Sequence, residues 1–219
     1  IRTDEADKII KTIDEDLGTE KLEFHTGISY RHCLLWRDAP DFKDFVRPHD
    51  ILGQRIGEHL PPEPFLSLIR QSREILDNHP INVARIARGL KPANCIWLWS
   101  PGKKPTLPSF EEKWGLKASV ISAVDLIKGI GLCAGMESID VEGATGNVNT
   151  NYSGKADAAI DAFKRGRDFV YVHVEAPDEC GHRAETENKV KAIELIDSKI
   201  LAPVYEYLRE TGDDYRIMV

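Results

Sequence analysis

No apolar run in this 219-residue chain approaches the roughly 18 residues of a membrane-spanning helix, so no such helix is expected. The four cysteines, at positions 33, 95, 133 and 180, include no CxxC pair. That spacing indicates neither a zinc ribbon nor a disulfide framework, and reduced thiols in a cytoplasmic protein fit it best. Basic charge is also scarce. With 29 Lys and Arg against 36 Asp and Glu, the net charge is −7 and the pI is near 5.5. Nucleic acid or an anionic membrane surface as main partner would need a sustained basic face, so neither is expected, and any anion site must be a local basic pocket. No internal repeat, low-complexity tract or oligomerisation signal is present. The opening "IRTDEADKII" reads as a capped amphipathic helix, not a signal peptide.

What is present is enough apolar content, 42%, to bury a sizeable core, in one large α/β domain or two modest ones. Two are expected, with a boundary near 91/92. In the first, Ala6, Ile9, Ile10, Ile13 and Leu17 recur at helical spacing, with acidic residues at the positive end of the helix dipole. Two extended stretches, "KLEFHTG" and "SYRHCLLW", follow and meet near Gly27. Residues 37–64 then read as a long, proline-punctuated loop of the kind that often carries function. Phe65, Leu68, Ile69, Ser72 and Leu76 mark a helix, and "INVARIARGL" a shorter one that Gly89 can end.

From residue 92 the texture changes to short apolar runs: "CIWLW" (95–99), "ASVISAV" (118–124), "SIDV" (138–141), "FVYVHVEA" (169–176) and "YRIMV" (215–219). Helical segments are expected between them at "SFEEKWG", at "DLIKGIGLCAGM", at 154–165 with Ala156, Ile160 and Phe163 inward, and from about 187 to 210, where Pro203 should kink or end the helix. Connections of crossover length make this half a mostly parallel α/β sheet. The first residue is Ile, and the last residues are a turn feeding an apolar strand, so an internal piece of a longer protein is expected.

The stretch "VHVEAPDECGHRAE" places Asp178 and His182 four residues apart, just past an expected strand end, where ligands collect in open α/β sheets. If the segment after Pro177 is helical, the two side chains are neighbours, with donor chemistry that suits Mn²⁺ or Zn²⁺. The same pair has a plainer reading, an aspartate capping a turn beside a packed or solvated histidine. A metal also needs at least three protein ligands. His173 and Glu175, the nearest candidates, are poor on strand parity, so the others have to come from elsewhere.

These strings, together with "GISYRHCLLW", "PHDILG", "KPANCIWLW", "LPSFEEKWGLKASVISAVDLIKGIG" and "VEGATGNVNTNYSGKADAA", resemble the archaeal-type cofactor-independent phosphoglycerate mutases of the alkaline phosphatase superfamily. The resemblance covers nearly the whole chain. It implies an alkaline phosphatase-like α/β core over 92–219 that bears the metals, and an inserted, substrate-clamping α+β domain over 1–91, both partial. It implies a two-metal isomerase of glycolysis and gluconeogenesis that interconverts 3- and 2-phosphoglycerate through a phosphoserine. The nucleophilic serine and the remaining metal ligands would lie outside this chain, and the chain alone would lack mutase activity. Asp178 and His182 carry over as ligands of one divalent ion, Mn²⁺ first, with Zn²⁺, Co²⁺ or Mg²⁺ as alternatives.

Phosphoryl transfer also needs basic side chains on the substrate. Nine of 14 arginines and five of seven histidines fall in residues 1–91. The expected contacts to a small phosphorylated substrate are Arg31 and His32 at a strand end, His49 and Asp50 in the long loop, and Lys128 in a Gly-rich turn. Each has a plainer alternative: a surface ion pair, a satisfied histidine, a turn cap, a helix-surface lysine. Where the family often has Gly-Gln-Gly after "WLW", this chain has Ser100-Pro101-Gly102, and the "WLW" run itself reads as core. Two other functional classes stay open, another phosphotransferase or phosphatase of the superfamily, and a non-catalytic binding module with a structural Asp178–His182 pair.

Overall fold

The computed structural model describes residues 1–41 and 45–219, which fall into two units, Ile1–Lys104 and Pro105–Val219. In the first, α1 (Thr3–Leu17) buries Ala6, Ile9, Ile10 and Ile13, the stripe expected from their spacing. The chain leaves α1 so tightly at Gly18 that a Cβ there would sit 2.2 Å from the Asp14 carbonyl oxygen, which only glycine avoids. Asp14 then accepts the Phe24 N–H at 2.8 Å, tying the helix to the next element.

That element is an antiparallel pair, β1 (Leu22–His25) and β2 (Cys33–Trp36), in register Leu22↔Trp36 to His25↔Cys33. Alternate residues Leu22 and Phe24 enter a core with Ile9, Ile10, Ile13, Leu68 and Leu76. The last two come from α2 (Phe65–Leu76), and α3 (Pro80–Ala87) follows. The chain then turns at Gly89, with φ +72. The described part of the long loop holds two short 3-10 turns, Pro48–Ile51 and Ile56–His59. Its residues 42–44 lie outside the described residues.

The expected strand at 95–99 does not form. Its backbone is satisfied by side chains instead: buried Asn82 accepts the Ala93 N–H at 2.8 Å and donates to the Ala93 carbonyl at 2.9 Å, and Ser72 Oγ accepts the Ile96 N–H at 3.0 Å. Ile96 and Leu98 pack on the first core. Residues 92–104 therefore belong with the first unit, and the division falls at 104/105, later in the chain than the expected 91/92.

The second unit opens with α4 (Phe110–Trp114), ended by left-handed Gly115. Then come β3 (Ala118–Ile121), α5 (Asp125–Cys133), β4 (Glu137–Ile139), α6 (Tyr152–Lys164), β5 (Phe169–Val172), α7 (Ala176–His182), α8 (Thr186–Ile196) and α9 (Ala202–Thr211). The strands run parallel in the order β4-β3-β5, as the crossover-length connections require. The fold class is thus the expected α/β one, with the first unit of mixed helix and antiparallel strand.

Central β3 is buried along its whole length. Gly131 of α5 packs so near it that a Cβ would meet Val120 Cγ1 at 2.5 Å. The glycines of "DLIKGIG" thus lie in the helix expected over "DLIKGIGLCAGM", which places Lys128 on α5 and not in a Gly-rich turn. On α6, Tyr152, Lys155, Ala156, Ala159 and Ala162 are buried, while Ile160 and Phe163 are only half-buried. The inward face is rotated from the expected one because small residues permit close approach to the sheet. Between α8 and α9 the chain makes one π turn, Asp197–Leu201, and continues as helix through Pro203, which has no N–H for the ladder, so the helix is locally altered there and does not end. Residues 215–219 form no strand and are exposed, Met218 almost fully.

Candidate metal centre

Parallel strands bring their carboxyl ends to one rim, where β3 leads to Ser122, β4 to Asp140 and β5 to His173. From that rim α7 starts at Ala176, with Pro177 in its first turn, where a fixed φ suits helix initiation. Ala176 and Cys180, one turn apart, have no exposure and anchor the helix. Asp178 and His182 lie two positions further along, roughly 200° round the helix at 3.6 residues per turn, on its open face. Their side chains are 68% and 61% exposed and converge, with His182 Nε2 3.3 Å from Asp178 Oδ2.

That separation fits a shared ion. A point about 2.1 Å from each donor, the usual Zn–N or Zn–O length, sees them at roughly 105°, within the range of tetrahedral or octahedral coordination. Among the described residues no cluster of three or more His, Cys, Asp or Glu is arranged to hold a metal. The pair by itself therefore does not complete a coordination shell. The same 3.3 Å also makes an ordinary helix ion pair once His182 is protonated.

Behind α7 the rim is locked by polar contacts. The wholly buried Lys155 donates from Nζ to the His173 carbonyl at 2.6 Å. The His173 N–H donates to the Ile121 carbonyl at 2.8 Å, while its ring places Nδ1 3.2 Å from Ser122 Oγ and Nε2 3.2 Å from Glu175 Oε2. Glu175, at the start of α7, accepts the Asp178 and Glu179 N–H groups on its carbonyl oxygen. Burial, and then the nearby charge of Lys128, lowers the Lys155 pKa to about 8 against a favourable pull from Glu175. Burial also lowers the His173 pKa, opposed by Glu175.

Lys128 lies in α5 and reaches this rim, with Nζ 2.6 Å from Asp140 Oδ1. In the first unit, Arg31 and His32 occupy the turn just before β2. The Arg31 guanidinium lies 4.8 Å from the Tyr30 ring centre, and His32 Nδ1 accepts the Gly27 N–H at 3.1 Å. Burial lowers the His32 pKa, against the backbone at Ser29 and the charge of Asp7. His49 meets Trp99 edge-on at 5.3 Å, and exposed Asp50 follows it in the 3-10 turn. Asp50 also borders a surface hollow with Phe45, Val46 and Arg47.

A family model described as the metalloenzyme superfamily matches residues 28–218. The chain belongs to the metalloenzyme superfamily. It is 46% identical over 224 residues to a protein of Methanosarcina mazei named 2,3-bisphosphoglycerate-independent phosphoglycerate mutase, a match covering 100% of this chain and 56% of that protein. It is 44% identical over 199 residues to the identically named protein of Methanothrix thermoacetophila, covering 89% of this chain and 50% of the relative. The chain thus spans about half the length of these relatives. Among solved structures, the PH0037 protein from Pyrococcus horikoshii superposes with a TM-score of 0.64 at 27% identity, covering 95% of this chain and 50% of that one. The expected resemblance is thereby established at the level of sequence, and superfamily membership implies divalent metal ions.

At this rim the sequence points to Asp178, His182 and Lys128 but not to Lys155 or to the tying role of His173 and Glu175. One signal was available: Lys155 stands in phase with Tyr152, Ala156, Ala159 and Ala162 on a buried stripe, where a lysine needs a specific partner. For His173, strand parity was a poor guide, because residues 173–175 lie beyond β5.

Proposed function

We propose that this chain is part of a phosphoglycerate mutase that interconverts 3-phosphoglycerate and 2-phosphoglycerate without a bisphosphoglycerate cofactor. The observation that carries the proposal is 44–46% identity, over most or all of the chain, to proteins bearing that name. The rim geometry supports it, since Asp178 and His182 converge as ligands to one divalent ion, Mn²⁺ by preference. The other ligands and the nucleophilic serine come from the part of the polypeptide that relatives have and this chain does not span.

When bound, the ion neutralises the transferring phosphoryl group and activates the attacking oxygen. The chain's own residues supply the rest. Asp178 and His182 present a carboxylate and an imidazole from a rigid helix. Lys128 places a cation at the same rim for substrate phosphate. In the inserted substrate-clamping domain, Arg31 offers a planar fork for phosphate or carboxylate, while His32, His49 and Asp50 orient the glycerate. On this reading the whole protein acts in the cytoplasm, in glycolysis and gluconeogenesis; among the described residues no helix is long and apolar enough to cross a membrane.

The test is an assay of the full-length protein with Mn²⁺ and 3-phosphoglycerate, free of 2,3-bisphosphoglycerate. Formation of 2-phosphoglycerate, lost with EDTA and restored by Mn²⁺, is expected. Release of inorganic phosphate with no 2-phosphoglycerate would instead assign a phosphatase.

A further inference from the structure

Lys155 is a buried cation that the proposed chemistry does not use. It stands on the buried face of α6 with no exposure, and its ammonium ends on the carbonyl of His173, one residue past β5. Taking a lysine fully out of water is costly, so it is placed where its charge has a fixed acceptor. The acceptor lies in the short segment that turns strand into helix. His173 is held on three further sides, by the Ile121 carbonyl, by Ser122 Oγ and by the Glu175 carboxylate. Glu175 in turn receives the first N–H groups of α7 on its carbonyl oxygen. A chain of contacts thus runs from Lys155 through His173 and Glu175 to the helix presenting Asp178 and His182.

We infer that Lys155 is a positioning residue for the Asp178–His182 pair. By fixing the His173 carbonyl it sets the direction in which α7 leaves the sheet, and so the point at which the two donors converge. The inference rests on the metal reading of that pair. Holding donors to a fraction of an ångström is what supporting contacts around a metal site do, and their loss typically lowers affinity about 10–100-fold.

Lys155→Met keeps the apolar stem and removes the donor. In the full-length protein, Mn²⁺ titrations followed by water-proton relaxation enhancement would compare wild type, Lys155→Met and Asp178→Asn/His182→Ala, with circular dichroism and melting temperature recorded for each. A wild-type site lost in the double variant and weakened at least tenfold in a Lys155→Met protein of undiminished melting temperature would support the inference. If Lys155→Met binds Mn²⁺ as wild type does, the positioning role is wrong and the metal reading stands. If the double variant binds like wild type, the metal reading fails and the inference falls with it. Should Lys155→Met fold poorly, Glu175→Gln, which perturbs the same chain of contacts from its other end, replaces it, and unchanged Mn²⁺ affinity there would equally overturn the role.

Discussion

His182 Nε2 lies 3.3 Å from Asp178 Oδ2 across one turn of α7, with both side chains more than half exposed. An exposed pair of this kind contributes about 0–1 kcal/mol to stability. His182→Ala in the full-length protein should therefore shift the melting temperature by no more than a few degrees. As a direct ligand it should lower Mn²⁺ affinity on the order of 100-fold or more, beyond the loss typical of supporting residues. Calorimetric titration with Mn²⁺ beside a thermal melt separates the two effects, and an unchanged affinity would show the pair to be a helix ion pair only.

Lys155 makes stability depend on pH in a direction opposite to most lysines. Burial lowers its pKa from the ordinary 10.5 to about 8 in the folded protein. Below pH 8 the ammonium is charged in both states and the folded state bears the full burial penalty. Between about 8 and 10.5 the unfolded chain binds more protons, so this group's contribution to stability rises with pH. Urea unfolding at pH 7 and 9.5 should show a rise larger in wild type than in Lys155→Met by on the order of 1–2 kcal/mol. Identical slopes would mean that Lys155 titrates normally.

Asn82 closes the first unit with three hydrogen bonds from one buried amide, to the Leu76 carbonyl at 2.9 Å and to both backbone groups of Ala93 at 2.9 and 2.8 Å. Asn82→Ala leaves those groups buried without partners, at about 1–3 kcal/mol for each badly solvated one. Chemical denaturation should register a loss of roughly 2–4 kcal/mol by the same reasoning, and residues 92–99 should gain proteolytic sensitivity.

Two glycines of α5 respond oppositely to the same change. An added Cβ at Gly131 meets Val120 Cγ1 at 2.5 Å, whereas at Gly129 nothing lies within 4 Å. Gly131→Ala should destabilise by about 1–3 kcal/mol through overpacking. Gly129→Ala should stabilise by about 0.5–1 kcal/mol through helix propensity. Matching effects in thermal melts would contradict the packing of α5 on β3.

The local patterns were legible because they follow from chain periodicity. The α1 stripe gave its helix, and the crossover-length gaps gave a parallel sheet. Failures came where an apolar run needed a partner to become a strand. Residues 95–99 and 215–219 have strand composition but form no ladder, since a strand exists only through hydrogen bonds to another. The Asn82 and Ser72 side chains occupy the backbone groups of the first run, which pulled it and the division between units away from the expected boundary.

Sequence alone determined the α/β class, the kinship, and the four-residue spacing that lets Asp178 and His182 meet, because spacing along a helix is a property of the backbone itself. Only the tertiary structure decided that α7 leaves the sheet rim with those two side chains on its open face, and that a lysine 18 residues before His173 ends on the carbonyl of that residue, just beyond β5. Side chains distant in sequence meet where packing brings their elements together, and a buried charge such as Lys155 is tolerated only where that packing supplies its acceptor.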